Sequence, residues 1–277
     1  MKEGTAALRR IIHTLQRTLR WNRTSVGLMS ALIAICGLIV YIWWPLAEEY
    51  LGQMDWAGPW WLQIDWLLIG IFAAMSLLIM ADADLRTDIP IVLIGAAGGL
   101  VIESWGTQTL LWSYYTLERP PLWIIPAWPI ASLAINRITR FLDRRIPQGT
   151  DRRWFIAAYC LVFAIFLALM VPFVWPTRDK SLTIMALILC GLLIGTPKGW
   201  RTPVLVFSAG AGLGYFLELW GTTRLCWTYY TLQQPPAFAV LAHGMAALAF
   251  WRVEDLLRQV FNGLQARLAR SSEAAAD

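Results

Sequence analysis

Two glutamates beside apolar runs are the residues of this sequence best suited to chemistry. Glu103 begins the stretch Glu-Ser-Trp-Gly-Thr, and Glu218 begins Glu-Leu-Trp-Gly-Thr 115 residues later. A carboxylate at the end of an apolar helix is costly, on the order of a few kcal/mol, unless it is paired, hydrated or protonated. Because burial disfavours the charged form, both could act as general acids near neutral pH. Each could instead have a structural role, bonding the backbone amides of its own loop, a tyrosine hydroxyl or an arginine.

An aromatic segment follows each glutamate at the same spacing. Electron-rich rings can stabilise a carbocation, or they can line a slot for a long apolar ligand. The alternative is an interfacial lid that caps the helices. We predict that these rings bind substrate: Trp105, Trp112, Tyr114 and Tyr115 in the first segment, and Trp220, Trp227, Tyr229 and Tyr230 in the second.

Other residues near the two aromatic segments are predicted to have structural roles, or a role in one copy alone. Gly106 and Gly221 are predicted to make turns that need an unhindered backbone. The Pro-Pro pairs at 120–121 and 235–236 are predicted to end each loop and open the next helix. His243 occupies the position at which the first copy has a tryptophan. It could therefore bind substrate or supply chemistry on one side only, or it could be a hydrogen-bonded core histidine.

The two segments belong to a longer internal repeat. Residues 86–137 and 201–252 align at the offset of 115 without a gap, and 22 of the 52 aligned positions are identical. The Glu, Trp, Gly, Tyr and Pro positions are kept, while the apolar positions between them differ. This pattern indicates an internal duplication that forms the functional unit.

The composition predicts a membrane protein. Of 277 residues, 58% are hydrophobic and only 15% are charged, and the mean hydropathy is +0.53. Long apolar runs are typical of polytopic membrane proteins. The sequence pI near 9.2 does not indicate nucleic-acid binding, because the basic residues lie in the connections between the apolar runs. We predict an all-α helical bundle with spans at about 27–45, 61–81, 89–104, 121–137, 154–175, 182–196, 203–219 and 237–251.

The spacing of the spans predicts two halves of four spans each with parallel topology, related by a pseudo-twofold axis along the membrane normal. The basic connections place both termini in the cytoplasm, with bacterial inner membrane as the predicted location. The acidic loop 46–60 and the two glutamate motifs then lie toward the outer face. The predicted segments are a basic interfacial helix at 1–26, membrane repeat 1 at 27–137, a basic cytoplasmic connection at 138–153, membrane repeat 2 at 154–252, and a cytoplasmic amphipathic helix and tail at 253–277.

Several chemistries are not indicated by the sequence. Only two histidines exist, His13 and His243, so paired histidine ligands for haem and a histidine-rich di-iron site are unsupported. The glycine-rich runs lack the Lys-Ser/Thr of a phosphate-binding loop. No nucleophile elbow or zinc-protease helix occurs. We therefore expect no metal and no cofactor. Further candidate acids are Asp65, Asp82, Asp84 and Asp88, of which Asp65 is the most interesting because it is close to an apolar run.

The order of Glu, Gly, Thr, an aromatic-Tyr cluster and a proline-bearing helix start resembles the membrane proteins of carotenoid biosynthesis, namely the carotenoid 1,2-hydratases and the small-repeat lycopene cyclases. The resemblance covers about 20 residues of each repeat. It implies protonation of a polyene double bond to a carbocation, which water or an alkene then traps. Glu103 and Glu218 match the acid, and Trp112 and Tyr114 with their second copies match the aromatic cluster.

Three functions remain open from the sequence. The first is a membrane enzyme of the hydratase, cyclase or isomerase type that acts on a long isoprenoid by carboxyl proton transfer. The second is a non-catalytic lipid- or pigment-binding protein, or an accessory subunit with a partner in a membrane complex. The third is a small-solute or proton-coupled transporter with a site between the repeats. The expected partners are an isoprenoid or membrane lipid, and anionic lipid head groups at the basic face.

Overall fold

The computed structural model describes residues 14, 16–17 and 19–273, with only the backbone described for 266–273. The predicted interfacial helix at 1–26 therefore lies largely outside the described residues, as does the end of the tail. The described chain is nearly all-α. Its α-helices are α1 (Arg23–Ile42), α2 (Trp44–Gly52), α3 (Trp66–Met80), α4 (Leu85–Gln108), α5 (Ala127–Arg145), α6 (Arg152–Val174), α7 (Ser181–Gly195), α8 (Arg201–Thr223) and α9 (Ala237–Glu273).

Five of these helices are long and apolar enough to cross a membrane: α1, α4, α6, α8 and the Ala237–Gln265 part of α9. This agrees with an integral membrane protein. The predicted spans at 61–81 and 182–196 correspond to two shorter apolar helices, α3 and α7. The predicted span at 121–137 begins with a 3-10 turn, Leu122–Ile124, and α5 follows it.

The helices depart from the predicted loop and helix ends in two places, and one helix crosses a predicted segment boundary. The predicted loop 46–60 is partly helical, since α2 ends only at Gly52. Helix α4 does not stop at Glu103 but continues to Gln108, so the acid lies inside the helix. Helix α9 runs without a break across the predicted boundary at 252/253.

Aspartate side chains cap the start of three of the described helices. Asp65 accepts a hydrogen bond from the Leu68 amide at the start of α3. The carboxylate of Asp84 accepts from the Arg86 amide at the start of α4. Asp151 accepts a hydrogen bond from the Arg153 amide at the start of α6. Such caps satisfy amides that have no partner within the helix.

Helices α4, α5, α8 and α9 form the centre of the fold. Helix α5 packs on both α4 and α8, and α9 packs on both α8 and α4. Glycines allow the close approach, because a Cβ on Gly95 would lie 2.8 Å from Ser132 Oγ, and one on Gly210 would lie 2.9 Å from the carbonyl oxygen of His243. Helix α3 covers α5, and α7 covers α9.

A buried ion pair joins α4 to α5. The guanidinium of Arg137 donates to Asp88 through Nη1 at 2.9 Å and Nη2 at 2.7 Å, and the two side chains are only 3% and 2% exposed. The corresponding arginine of the second copy, Arg252, pairs instead with Asp255 on its own helix, where both side chains are partly exposed. Of these two equivalent arginines, only Arg137 therefore forms a deeply buried bidentate ion pair.

Candidate functional site

The two aromatic segments meet as a pair of short strands. Strand β1 (Trp112–Tyr114) pairs antiparallel with β2 (Trp227–Tyr229), and Ser113 lies opposite Thr228. The ladder extends by one bond at each end, from the Tyr115 amide to the Cys226 carbonyl at 3.2 Å and from the Tyr230 amide to the Leu111 carbonyl at 3.1 Å. The pairing is symmetric, so it brings the two glutamate motifs together between α4 and α8.

Each strand is framed by the same backbone features. Leu110 and Leu225 have positive φ, as do Leu117 and Leu232. The peptide bonds before Pro120 and Pro235 are both cis. The predicted role of the proline pairs holds in the second copy, where α9 begins directly after Pro236, whereas a 3-10 turn intervenes in the first.

Glu103 is enclosed by three hydrogen-bond donors, which we call the first cage. Tyr114 donates its hydroxyl to Oε1 at 2.9 Å, and Trp128 donates its indole N–H to the same oxygen at 3.1 Å. Trp112 donates to Oε2 at 3.1 Å. The glutamate is 3% exposed. Because these donors replace water, they offset much of the cost of burying a carboxyl group inside a helix.

Glu218 has an equivalent arrangement, the second cage. Tyr229 donates its hydroxyl to Oε1 at 2.8 Å, and Trp227 donates to Oε2 at 3.0 Å. The third partner is His243, whose Nε2 lies 2.9 Å from Oε1. Glu218 is 2% exposed. The two cages thus differ in one residue, Trp128 against His243.

The tyrosine hydroxyls of both cages remain donors. Burial, and next the neighbouring Glu103, raise the pKa of Tyr114 well above its ordinary value. Burial, and next Glu218, do the same for the pKa of Tyr229. Both phenols therefore stay protonated across the physiological range and keep donating to the carboxyl groups.

The cages are in direct contact through their rings. Trp112 lies against Tyr229 with ring centroids 5.9 Å apart, and Tyr114 lies against Trp227 at 6.0 Å. Trp128 and His243, the two residues that differ, stack on each other at 5.9 Å with planes only 19° apart. Each glutamate therefore binds the aromatic segment of its own copy, and the two aromatic segments together form one centre.

The other four predicted aromatic residues anchor this centre to the surrounding helices. Trp105 donates to Thr183 Oγ1 at 3.1 Å, at the start of α7. The hydroxyl of Tyr115 donates to the Ile42 carbonyl at the end of α1, and that of Tyr230 donates to the Phe173 carbonyl near the end of α6. These contacts fix the position of the strands.

The fourth of these residues, Trp220, connects to an ion pair. Its indole N–H donates to Asp65 Oδ2 at 2.9 Å, and the guanidinium of Arg224 donates to the same carboxylate from Nε at 3.0 Å. The further candidate acid Asp65 is therefore engaged by one arginine and one tryptophan.

The two motif glycines have a different role from the predicted one. Gly106 and Gly221 lie inside α4 and α8, with no positive φ, and do not make turns. A Cβ on Gly106 would lie 1.8 Å from the Trp112 ring, and one on Gly221 would lie 1.9 Å from the Trp227 ring. Glycine is needed at both positions because the cage tryptophan packs directly on the helix backbone.

We expect Gly106→Ala to displace Trp112, break its bond to Glu103 and lower the free energy of unfolding by about 1–3 kcal/mol, as overpacking commonly does. Gly70→Ala on α3 is the matched control, because its Cβ would meet no atom within 4 Å. Detergent-solubilised variants can be compared by denaturant titration followed through tryptophan fluorescence. Equal stability of the two variants would contradict the packing argument.

Both cages form part of the wall of a large apolar cavity of about 1460 Å³. Of the predicted site residues, Tyr115 and Tyr230 do not line it, and the others do. Trp128, which is not among the predicted site residues, lines the cavity and completes the first cage. A signal for it is present in the sequence, since Trp128 stands at the repeat position of His243. Among the described residues, no cluster of three or more His, Cys, Asp or Glu side chains could hold a metal ion.

Comparison with models of protein families, with curated proteins and with solved structures finds no match to this chain. The candidate site consists of two buried carboxyl cages in contact with each other at the wall of an apolar cavity.

Proposed function

We propose that this integral membrane protein acts on a long isoprenoid or carotenoid-type lipid by transferring a proton from a cage carboxyl group to a carbon–carbon double bond. The observation that carries the proposal is the position of Glu103 and Glu218. They are buried acids at the wall of a cavity that is otherwise mostly apolar. A few convergent polar groups in a large apolar pocket are the usual mark of a binding or active site.

The size of the cavity supports a long ligand. Its volume of about 1460 Å³ exceeds the roughly 300–1,000 Å³ of usual small-molecule pockets. Its lining comes from α1, α3, α4, α6, α7, α8 and α9, so a chain-like molecule would be held between the helices. The aromatic rings of the cages lie beside the carboxyl groups, and the faces of such rings are electron-rich. Such rings stabilise positive charge that develops on a protonated polyene.

We further propose eight spans in two parallel halves, α1 and α3–α5 in one half and α6–α9 in the other. The matching contacts of α5 with α8 and of α9 with α4 support this division, as does the symmetric pairing of β1 with β2. The exposed arginines at 144–145 and 152–153 favour a cytoplasmic connection that faces anionic lipid head groups. Both termini would then be cytoplasmic, in a bacterial inner membrane.

A second candidate function is passive binding of the same class of lipid, or an accessory role in a membrane complex. It is favoured by the first cage, in which both carboxyl oxygens of Glu103 are already engaged by donors from its own repeat. A carboxyl group with both oxygens engaged by donors also fits a structural role, in which it shapes the cavity wall. Enzyme and binder both predict a bound apolar ligand, and only the enzyme predicts proton transfer to it.

We expect purified protein to retain a long-chain isoprenoid lipid, identified by mass spectrometry of organic extracts. Gly191→Phe should lower the retained amount several-fold, because Gly191 lines the cavity and its Cβ faces open space. Gly70→Phe, also facing open space but outside the cavity lining, should retain the lipid. Extracts that hold only bulk membrane phospholipid, equally in all variants, would remove the support for an isoprenoid ligand.

A further inference from the structure

The two cages are equivalent in geometry but not in what their third partner can do with a proton. Trp128 and His243 stand at the same repeat position. The indole nitrogen of Trp128 lies 3.1 Å from Oε1 of its glutamate, and Nε2 of His243 lies 2.9 Å from Oε1 of the other. An indole nitrogen carries a hydrogen and can only donate it to a hydrogen bond. An imidazole nitrogen can donate or accept, and the ring can take up and release a proton near neutral pH.

We propose that His243 exchanges protons with Glu218, so that the second cage alone is a rechargeable proton source and the first cage is a fixed support. This deepens the proposed function, on which its catalytic meaning rests. In the exchange, His243 starts as the imidazolium with a hydrogen on both ring nitrogens: its Nε2–H bond breaks, an O–H bond forms at Oε1 of the Glu218 carboxylate, and a neutral imidazole with its hydrogen on Nδ1 remains. The freed lone pair on Nε2 then accepts the hydrogen bond that Nε2 had donated. The bond is kept with its direction reversed, so no side chain has to move.

The exposure of the two side chains supports this direction of proton supply. The side chain of His243 is 21% exposed, whereas that of Glu218 is 3% exposed. The imidazole also lines the cavity. His243 is therefore the more accessible member of the pair, and a proton that enters the cavity meets the imidazole more readily than the carboxyl group.

The surroundings hold the imidazole in place without competing for the proton. Trp128 of α5 stacks on its face, and Glu218 of α8 binds its Nε2. The other titratable groups at this centre are Tyr229 of β2, which donates to Glu218, and the first-cage pair Glu103 and Tyr114. Both tyrosines are donors to glutamates, which leaves His243 and Glu218 as the titratable pair able to pass a proton in either direction.

The chain allows a direct test, because it has only two histidines, His13 and His243. With ¹⁵N-labelled histidine and His13→Gln as background, the two ring nitrogens of His243 give the only imidazole signals of the intact, detergent-solubilised protein, and the Nε2 signal is followed. We expect this signal to titrate, and Glu218→Gln to move the titration midpoint by about one pH unit or more, as loss of an adjacent charge does. Glu103→Gln should move it less. A signal that does not titrate, or that responds equally to both variants, would overturn the proposal.

A reciprocal exchange of the two partners separates a proton role from a structural one. His243→Trp gives the second cage the chemistry of the first, and Gly214 beside it matches Gly99 beside Trp128. Trp128→His introduces an imidazole into the first cage. In the His13→Gln background, Trp128→His should add a second titrating Nε2 signal that Glu103→Gln then shifts. If that new signal titrates without any response to Glu103→Gln, pairing with a cage carboxyl is not what confers exchange, and the proposal fails.

These measurements need no substrate, so they are independent of the proposed function. An expected titration of His243 together with no proton transfer to any polyene would leave the proton exchange standing and remove the enzymatic role. Proton transfer to a polyene that is unaffected by His243→Trp would leave the enzymatic role standing and remove the proton exchange at His243.

Discussion

Glu218→Gln is expected to lower proton transfer to a polyene by about 10²- to 10⁴-fold, the usual contribution of a positioned general acid. Glutamine has the same shape: its amide oxygen can accept from Trp227, and its NH2 group can face Tyr229 and His243, which are both able to accept, so the fold should persist, but the amide has no acidic proton. The protein is reconstituted in lipid nanodiscs with lycopene as the acyclic polyene probe, in D₂O. Deuterium incorporated at carbon is then measured by mass spectrometry, which reports protonation whatever the final product is.

Glu103→Gln makes the same substitution in the cage that has no imidazole; because both oxygens of Glu103 accept from an indole N–H, the new NH2 group faces a donor there, so helix content is checked by circular dichroism before the comparison. We expect Glu103→Gln to reduce deuterium incorporation much less than Glu218→Gln does. Full incorporation in both variants would show that neither carboxyl group supplies the proton. A larger loss in Glu103→Gln than in Glu218→Gln would assign the acid to the first cage and contradict the role given to His243.

Asp88→Ala is expected to destabilise the protein by about 3–5 kcal/mol, the cost of breaking a buried ion pair by removing one partner. The substitution leaves the guanidinium of Arg137 charged and 3% exposed between α4 and α5. The free energy of unfolding can be measured in detergent micelles by denaturant titration, with helix content followed by circular dichroism.

The second copy supplies the comparison for this prediction. Arg252→Ala removes the equivalent arginine, whose partner Asp255 lies on the same helix with 19% of its side chain exposed. We expect a loss of about 1 kcal/mol or less there, because partly exposed pairs contribute little. The double variant Asp88→Leu/Arg137→Met should recover most of the stability lost in Asp88→Ala, since it leaves no unpaired charge. Similar losses in Asp88→Ala and Arg252→Ala would contradict the importance of burial.

The position of Glu103 shows that a buried acid at the edge of an apolar run need not end a helix. An acid at the edge of an apolar run predicts a helix end, yet α4 continues five residues beyond it. The carboxyl group can lie inside the helix because Trp112, Tyr114 and Trp128 supply its hydrogen bonds. One of these donors comes from a different helix, so the local sequence contains no sign of it.

Trp128 shows why one site residue was missed. A tryptophan in an apolar segment is typical of a membrane interface or a core. Only the packing of α5 on α4 directs its indole nitrogen to Glu103, 25 residues away in the chain. The buried partner of Asp88 is similarly remote, 49 residues along the chain.

The sequence by itself determined the membrane character of the protein and the two glutamate motifs with their common spacing, because hydropathy and repetition are properties of residue order. Only the tertiary structure decided that the motifs pair as antiparallel strands and that their glutamates become two cages in contact at one cavity. It also decided that His243 binds the second glutamate where Trp128 binds the first. The reason is physical: hydrogen bonds and ring contacts form between groups a few ångströms apart, and helix packing sets those distances between residues that are far apart in the chain.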